Sequence, residues 1–404
     1  MILPVLVAQV ASMLVIVADD VAYTDMPSIP TPHVDSIASQ GLTFTRAYAM
    51  PVCSASRESA FLGVWSIRHR RSSCIETGTN ATNPITIPAA SVTIADLAGG
   101  AGLETGLFGK WHLGLDASGD WIDAPGENGF DRWFATPAST SACEGVGYES
   151  WVYTDNGSAE DLETDYNTTK VASEAVAWIS ARTGPYFAWV SFNAAHIPLH
   201  EPPSAALPAG YSVAATDRGR YEAAVVAMDE AVGSLLAAAD LSSTLVIFIG
   251  DNGTPPQATR PDQDAAKVKK TTFEDGIHVP LVVAGPGVVQ GTTKSLVHFV
   301  DVYATVANLA SAPNAGDGVS LMPILKDPEK KTRAYVYCGH KRPGTNDRTI
   351  VTDRWKYREN TSVGSAELYD LDADPLEESP FLEGSDEWAL VTPILVSLME
   401  AIED

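Results

Sequence analysis

Four short apolar runs in this 404-residue chain each stop at residues able to hold an ion or move a proton. Leu14-Val15-Ile16-Val17-Ala18 ends at Asp19-Asp20, and Leu245-Val246-Ile247-Phe248-Ile249 leads through Gly250 to Asp251-Asn252-Gly253. Thr105-Gly106-Leu107-Phe108-Gly109 ends at Lys110-Trp111-His112, and Phe187-Ala188-Trp189-Val190-Ser191-Phe192 leads to His196. Asp19, Asp20, Asp251 and Asn252 are hard oxygen donors, and the three carboxylates among them call for a divalent cation. Calcium, which accepts many oxygen ligands in flexible geometry, is the first choice, with magnesium or manganese as alternatives. Zinc is disfavoured, because no close Cys/His ligand spacing occurs. Lys110 and His112 alternate, so both side chains are expected on one face of an extended segment with Trp111 turned into the core. His196 sits before Ile197-Pro198 in a loop that cannot continue as a helix. Lys269-Lys270 adds a cationic pair that reads either as an anion-binding element or as a solvated patch. Taken singly these residues also fit ordinary turns, Asp251-Asn252-Gly253 above all; their recurrence at equivalent strand ends favours a site.

Short, continuously apolar, β-branched runs of this kind are expected as parallel strands buried on both faces. Between them, Thr93 to Gly100, Thr168 to Ala181 and Arg218 to Ala239 carry apolar residues at helical spacing. The alternation predicts an α/β fold, a large central mixed, mostly parallel sheet flanked by helices. In such sheets ligands sit beyond the carboxyl ends of the strands, so the four polar ends should converge there. A main domain is expected over residues 1–326. The polar stretch Lys326-Asp327-Pro328-Glu329-Lys330-Lys331 then leads into a smaller C-terminal α+β domain over 327–404. Tyr335-Val336-Tyr337 and Thr349-Ile350-Val351 read as short antiparallel strands there, and Val391 to Ile402 as a closing helix beginning near Thr392-Pro393.

Acidic residues outnumber basic ones 51 to 26, for a formal net charge of -25. A nucleic-acid partner is therefore excluded, since its phosphates would be repelled over most of the surface. An anionic small molecule would need a local island of cationic groups. Ile2 to Ala11 resembles the apolar core of a signal peptide without a basic residue before it, so the expectation is a periplasmic or secreted protein with no membrane span. Four cysteines, at 53, 74, 143 and 338, are too few for a disulfide framework in a chain of this length. A single bridge, such as Cys74 to Cys143, is one of several possibilities. Asn80, Asn156, Asn167 and Asn360 each open a tripeptide of the N-glycosylation pattern.

Cys53-Ser54-Ala55-Ser56-Arg57, closely followed by Leu62-Gly63, resembles the maturation signature C-x-(P/A)-S-R of type I sulfatases. Gly109-Lys110-Trp111-His112-Leu113-Gly114 is similar to the second signature of that family. Val17-Ala18-Asp19-Asp20, Ile29-Pro30-Thr31-Pro32-His33-Val34-Asp35, Asn128-Gly129-Phe130-Asp131, Asn193-Ala194-Ala195-His196-Ile197-Pro198-Leu199, Met228-Asp229 and Asp251-Asn252-Gly253 follow the family's order. Glu367-Leu368-Tyr369-Asp370-Leu371 with Asp374-Pro375 resembles its carboxyl-terminal motif. The matches extend over almost the whole chain and point to the arylsulfatase-like, formylglycine-dependent branch of the alkaline-phosphatase-like superfamily. Two departures stand out: Ala55 replaces the preferred proline, and the usual E-G-G-x-R-x-P is Glu274-Asp275-Gly276-Ile277-His278-Val279-Pro280.

The resemblance implies a sulfuric ester hydrolase that releases sulfate from a sulfated saccharide or an aryl sulfate, the saccharide being preferred. It implies that a formylglycine-generating maturation enzyme converts Cys53 to an aldehyde. The cation is then held by Asp19, Asp20, Asp251 and Asn252, with an oxygen of modified Cys53 completing its shell. Arg57 braces the aldehyde hydrate, Lys110 and Lys269 bind sulfate oxygens, and His196 contacts the leaving oxygen. His112 removes a proton from the remaining hydroxyl so that sulfate is expelled. Two other readings stay open, a metal-dependent phosphoesterase of the same superfamily and a catalytically silent relative that binds sulfated glycans. Trp121, Trp133, Trp151 and His200 read either as walls of a sugar or aryl pocket or as ordinary core. No feature of the sequence fixes the oligomeric state.

Overall fold

The computed structural model describes residues 10–69, 87–88, 90–115, 121–137, 147–158, 161–314, 316–342 and 344–403. Most of the apolar run from Ile2, together with Cys74, Asn80 and Cys143, lies outside the described residues. The four apolar runs are strands β1 (Ser12–Ala18), β4 (Glu104–Lys110), β8 (Tyr186–Ser191) and β9 (Thr244–Gly250). Shorter strands are β2 (Leu42–Phe44), β3 (Ala47–Tyr48), β5 (Arg132–Thr136), β6 (Trp151–Asp155), β7 (Asp161–Glu163), β10 (Leu281–Ala284), β11 (Gly291–Thr293) and β12 (Val297–His298). Among the described residues, ten of these form one sheet in the order β11-β2-β10-β9-β1-β8-β4-β5-β6-β7. Its centre, β9-β1-β8-β4-β5, is parallel throughout, whereas β10 and β6 run antiparallel to the strands beside them. The expected mixed, mostly parallel sheet is what forms.

Alternation along β1 explains why the run is apolar at every position. Met13, Val15 and Val17 enter one core, while Leu14, Ile16 and Ala18 enter the other. On the first face lie helices α2 (Cys53–Leu62), α3 (Ile94–Gly100) and α6 (Asp301–Leu309); on the second lie α1 (Pro32–Gln40), α4 (Asn167–Ser180) and α5 (Asp217–Ala238). Local chemistry sets their starts. Thr93 caps α3 by accepting from Asp96 N while Asp96 accepts from Thr93 N, a reciprocal capping box. Thr216 caps α5 through Gly219 N. Asp229 on α5, fully buried, accepts from His33 N and Val34 N at 3.0 and 2.8 Å, so one helix satisfies the orphan donors of another. Asn167, at the first turn of α4, is buried and unavailable as a glycosylation acceptor.

The carboxyl-terminal part is a four-stranded antiparallel sheet of β13 (Tyr335–Arg342), β14 (Thr345–Thr352), β15 (Trp355–Asn360) and β16 (Ser365–Asp370), closed by helix α7 (Asp386–Glu403). The strands are longer than expected, and the helix starts earlier than the Thr392-Pro393 signal suggests. Ser385 caps it, its Oγ accepting from Trp388 N at 3.2 Å, and Pro393 lies inside. A capping serine followed by Asp386 and Glu387 outweighs the proline as a start signal. On this sheet Lys356 is fully buried, its Nζ 2.9 Å from Glu274, which opens a short helix before β10, and 2.8 Å from Glu377. Burial works against ionisation of Glu274, but Lys356 and His278 hold its carboxyl well below the usual range.

Gly109 shows how closely the strands approach at the end that matters. Its φ is +94°, and a Cβ there would stand 2.1 Å from Ser191 O on β8. Gly109→Ala should therefore destabilise the protein by about 2–3 kcal/mol in denaturant titration. A change within about 0.5 kcal/mol would contradict this account of the β4–β8 seam.

Candidate active site

The polar strand ends meet beyond the carboxyl edge of the sheet. Register does most of this: Ala18 pairs with Gly250, so Asp19 and Asp20 emerge beside Asp251 and Asn252. Asp20 has a φ of +64°, a left-handed conformation that aspartate tolerates better than most residues. Its N–H donates to Asp251 Oδ1 at 3.2 Å, and its Oδ1 accepts from Asn252 Nδ2 at 2.7 Å.

Cys53 opens α2 after the extended Val52, so its side chain stands at the positive end of the helix. Arg57, one turn further on, points the same way. Its Nε donates to Asp251 Oδ2 at 2.9 Å, and Nη1 donates to Lys110 O at 3.2 Å and to Ser191 Oγ. Lys110 Nζ pairs with Asp19 Oδ2, and Lys269 Nζ with Asp20 Oδ1. His112 Nδ1 is 3.4 Å from Cys53 Sγ, and its Nε2 is 3.2 Å from Ser54 Oγ. His196 Nε2 lies 3.9 Å from Asp20 Oδ2, while Nδ1 is bonded to Ile197 O at 2.7 Å. All ten residues singled out from the sequence, Asp19, Asp20, Cys53, Arg57, Lys110, His112, His196, Asp251, Asn252 and Lys269, thus form one contact network. Lys110 and His112 reach it differently from the expected extended face. Lys110 ends β4, and His112 has a φ of +51°, which turns its ring back toward α2 while Trp111 packs edge-on against Phe61. Lys270 stays exposed outside the network.

The electrostatics are unbalanced. Burial opposes the ionisation of Asp19, yet Lys110, His196 and Arg57 outweigh it and hold the carboxyl down at about 2. Burial, with Asp19 nearby, pushes Asp20 and Asp251 up to about 7 despite Lys269 and Arg57. Burial and then Lys269 depress His196 to about 3, so it rests neutral, and its Nδ1–H is donated to Ile197. Asp19 Oδ1, Asp20 Oδ2 and Asn252 Oδ1 are buried and, among the described residues, meet no hydrogen-bond donor. Cys53 Sγ and one oxygen each of Asp19 and Asp251 lie within 4.8 Å of one another, as do ligand atoms of Asp19, Asp20 and His196. Buried acceptors that no donor satisfies fit a hard divalent cation.

Several contributors were not singled out from the sequence. Ser54 and Ser191 touch His112 and Arg57; Ser54 lies within the Cys53-to-Arg57 signature and Ser191 within the apolar run from Phe187, which was the available signal. Asp25 gave none. Fully buried, it accepts from Arg218, Arg260, Tyr221 and Thr254, and Thr254 O accepts from Lys269 N at 3.0 Å, tying Lys269 to the strand ends. Tyr148 donates to the Asn193–His196 loop, its hydroxyl lying 2.6 Å from Asn193 O and 2.8 Å from His196 O. Of the pocket candidates, Trp121 and Trp151 are core, and Trp133 donates to Ile122 O. His200 stacks on Tyr148 at 3.9 Å and bonds Tyr166. His278 stacks between Tyr23 and Tyr48, and Asp275 accepts from Thr24; neither enters the site.

The sequence model of the sulfatase family matches residues 12–312. The chain belongs to the sulfatase family. A second model, the C-terminal region of N-sulphoglucosamine sulphohydrolase, matches residues 267–403 of this sulfatase-family chain. Human arylsulfatase A is 27% identical, the match covering 91% of this chain and 78% of that protein. The ulvan-active sulfatase of Formosa agariphila is 26% identical over 89% of this chain and 74% of its own length. Among solved structures, the crystal structure of Ps i-CgsB superposes with a TM-score of 0.82 at 25% identity, covering 98% of this chain and 93% of that one.

The opposite pKa shifts give opposite expectations. The lowered pKa of Asp19 contributes stability above pH 3.8 that is lost as pH falls toward 2; the raised pKa of Asp20 costs stability as pH rises from 3.8 toward 7. In excess chelator at neutral pH, Asp19→Asn should lower stability by on the order of 2 kcal/mol, whereas Asp20→Asn, which relieves a disfavoured buried charge but leaves Lys269 without its partner, should cost less. Thermal melts showing equal losses for both would contradict this charge assignment.

Proposed function

We propose that this chain hydrolyses sulfate esters, most readily those of a saccharide, through formylglycine derived from Cys53 and a bound divalent cation. The observation that carries the reading is the clustering of Cys53 Sγ with oxygens of Asp19 and Asp251 within 4.8 Å, at the amino terminus of a helix. The Cys53 sulfur stands in for the oxygen of the matured residue. Matured Cys53 would supply an aldehyde hydrate, one oxygen of which attacks sulfur while the other, on losing its proton, expels sulfate. A cation held by Asp19, Asp20, Asp251 and Asn252, calcium first and magnesium or manganese next, would supply positive charge to the nucleophilic and sulfate oxygens.

The chain's own side chains do the rest. Arg57 is kept cationic, since Asp251 and Asp19 outweigh the effect of burial, and it braces residue 53 against the strand ends. Lys110 is likewise cationic through Asp19. Lys110 and Lys269 bind sulfate oxygens and offset charge as the ester bond breaks. His196 presents Nε2 toward the leaving oxygen. Being neutral at rest, it acts as an acid only after gaining a proton together with the anionic substrate, so alcohols that leave poorly depend on it most. His112 accepts the proton whose loss releases sulfate. The ulvan-active relative favours a carbohydrate sulfate as substrate class. We further read a maturation enzyme as a required partner, residues 1–326 as the catalytic domain, 327–404 as the smaller domain, and the periplasm or exterior as the location. Among the described residues no helix is long and apolar enough to cross a membrane.

Tandem mass spectrometry of the Cys53 peptide, from protein made alongside a competent maturation system, should find formylglycine, and that protein should turn over aryl sulfate faster than the matched phosphate. Cys53→Ala should remove turnover entirely while leaving the melting curve within a few degrees. Faster phosphate turnover would favour a phosphoesterase, and binding of sulfated sugar without turnover a silent relative.

Cation binding should also compete with protons. With Asp20 and Asp251 both raised to about 7, the affinity for calcium should weaken as pH falls through 7. Calcium titrations by calorimetry from pH 8 to about 5.5 would show this, and a flat profile would contradict the raised pKa of Asp20 and Asp251.

A further inference from the structure

We propose that Ser54 is the positioning residue that orients His112 as the base for sulfate release. This rests on the sulfatase reading given above. His112 is clamped between two consecutive residues of one helical turn, its Nδ1 3.4 Å from Cys53 Sγ and its Nε2 3.2 Å from Ser54 Oγ. Ser54 is fully buried and His112 nearly so. The backbone of His112 is fixed as well, its N–H donating to Pro137 O at 3.0 Å.

An imidazole can take a proton at one nitrogen only while the other carries its hydrogen, so the partner of the second nitrogen selects the working tautomer. With Ser54 Oγ accepting from Nε2–H, the Nδ1 lone pair faces residue 53. This is the nucleophile, base and orienter relationship found in many hydrolases, here with nucleophile and orienter adjacent in sequence. Because both sit on the first turn of α2, their positions relative to each other are fixed by the helix.

The step served is the second half of turnover. In the first half the alcohol departs and sulfate becomes bonded to one oxygen of the residue 53 hydrate. In the second, the proton of the remaining hydroxyl passes to His112 Nδ1 and the carbonyl of the aldehyde re-forms. The bond from carbon to the sulfate-bearing oxygen breaks, and its electron pair leaves with sulfate. His112 then returns the proton to solvent. One water then adds to the aldehyde and restores the hydrate, so each turnover consumes the water of hydrolysis and no oxidant.

Ser54→Ala should slow only the second half, so kcat on an aryl sulfate should fall by on the order of 10- to 100-fold, by analogy with loss of the outer partner of a metal-binding histidine. KM should fall in parallel, leaving kcat/KM within about 2-fold, and a burst of phenol close to one equivalent per formylglycine should precede the slow steady state. Ser54→Thr, which keeps the hydroxyl, should restore kcat. Rates are normalised to the formylglycine content of each preparation by peptide mass spectrometry, which removes any effect on maturation. An unchanged kcat in Ser54→Ala, a loss of kcat/KM without a burst, or a Thr variant as slow as the Ala variant would each overturn the assignment. If wild-type protein carrying formylglycine fails to turn over any sulfate ester, the sulfatase reading itself falls and this role falls with it. Active wild type with an unaffected Ser54→Ala variant removes only the role of Ser54.

Discussion

Three carboxylates are withdrawn from water at neighbouring strand ends, and much of the surrounding architecture answers to that. Two like charges about 4 Å apart repel by about 4 kcal/mol at an effective dielectric near 20, so Asp19, Asp20 and Asp251 cannot all ionise without counter-charge. The counter-charges arrive from separate elements: Arg57 from α2, Lys110 from the end of β4, Lys269 from the segment after β9. A buried cation without its anion is as costly as the reverse, so each of these elements is held in place by the pairing it completes. The cations match the carboxylates one for one, yet the effect of burial is not fully offset. Two carboxyls remain raised, and three acceptor oxygens remain unsatisfied, which makes the centre receptive to a hard positive charge.

Helix α2 concentrates an unusual share of the site in little more than one turn. Cys53 and Arg57, four residues apart, share a face, and Ser54 lies beside them against His112. The extended Val52 ends the preceding loop, and Gly63, with a φ of +72° and Tyr303 pressed against it, ends the helix. Both ends of this short helix are therefore fixed by backbone geometry and packing, which holds the side chains of its first turn in register with β1 and β9.

The strand-end residues were legible because periodicity and burial act locally. An apolar run that stops at Asp19-Asp20 or at Asp251-Asn252 announces both a strand and a polar edge, and a parallel sheet aligns such edges. The same logic located Lys110 and His196. What could not be read was anything decided by approach between distant segments. Asp25 looks like any acidic residue after a strand until Arg218, Arg260 and Thr254 close on it. Ser54 differs from other helical serines only through the left-handed backbone of His112, which no propensity signals. The closing helix shows a local misreading, since Thr392-Pro393 imitates a helix start while the cap at Ser385 sets the real one.

The position of β1 also shapes how the chain must reach this state. It is among the first segments in the sequence, yet its partners are β8 and β9, with Val17 beside Ser191 and Ala18 beside Gly250. Until those distant segments have been synthesised and folded back, both edges of a strand that is apolar from Met13 to Ala18 stay unpaired. Loop closure over such spans precedes any reward from pairing, so assembly of the sheet is slow and the waiting strand is prone to pair wrongly. The carboxylate cluster requires that closure, since Ala18 beside Gly250 is what brings Asp19 and Asp20 to Asp251, and a net charge of -25 favours keeping incompletely folded copies apart meanwhile.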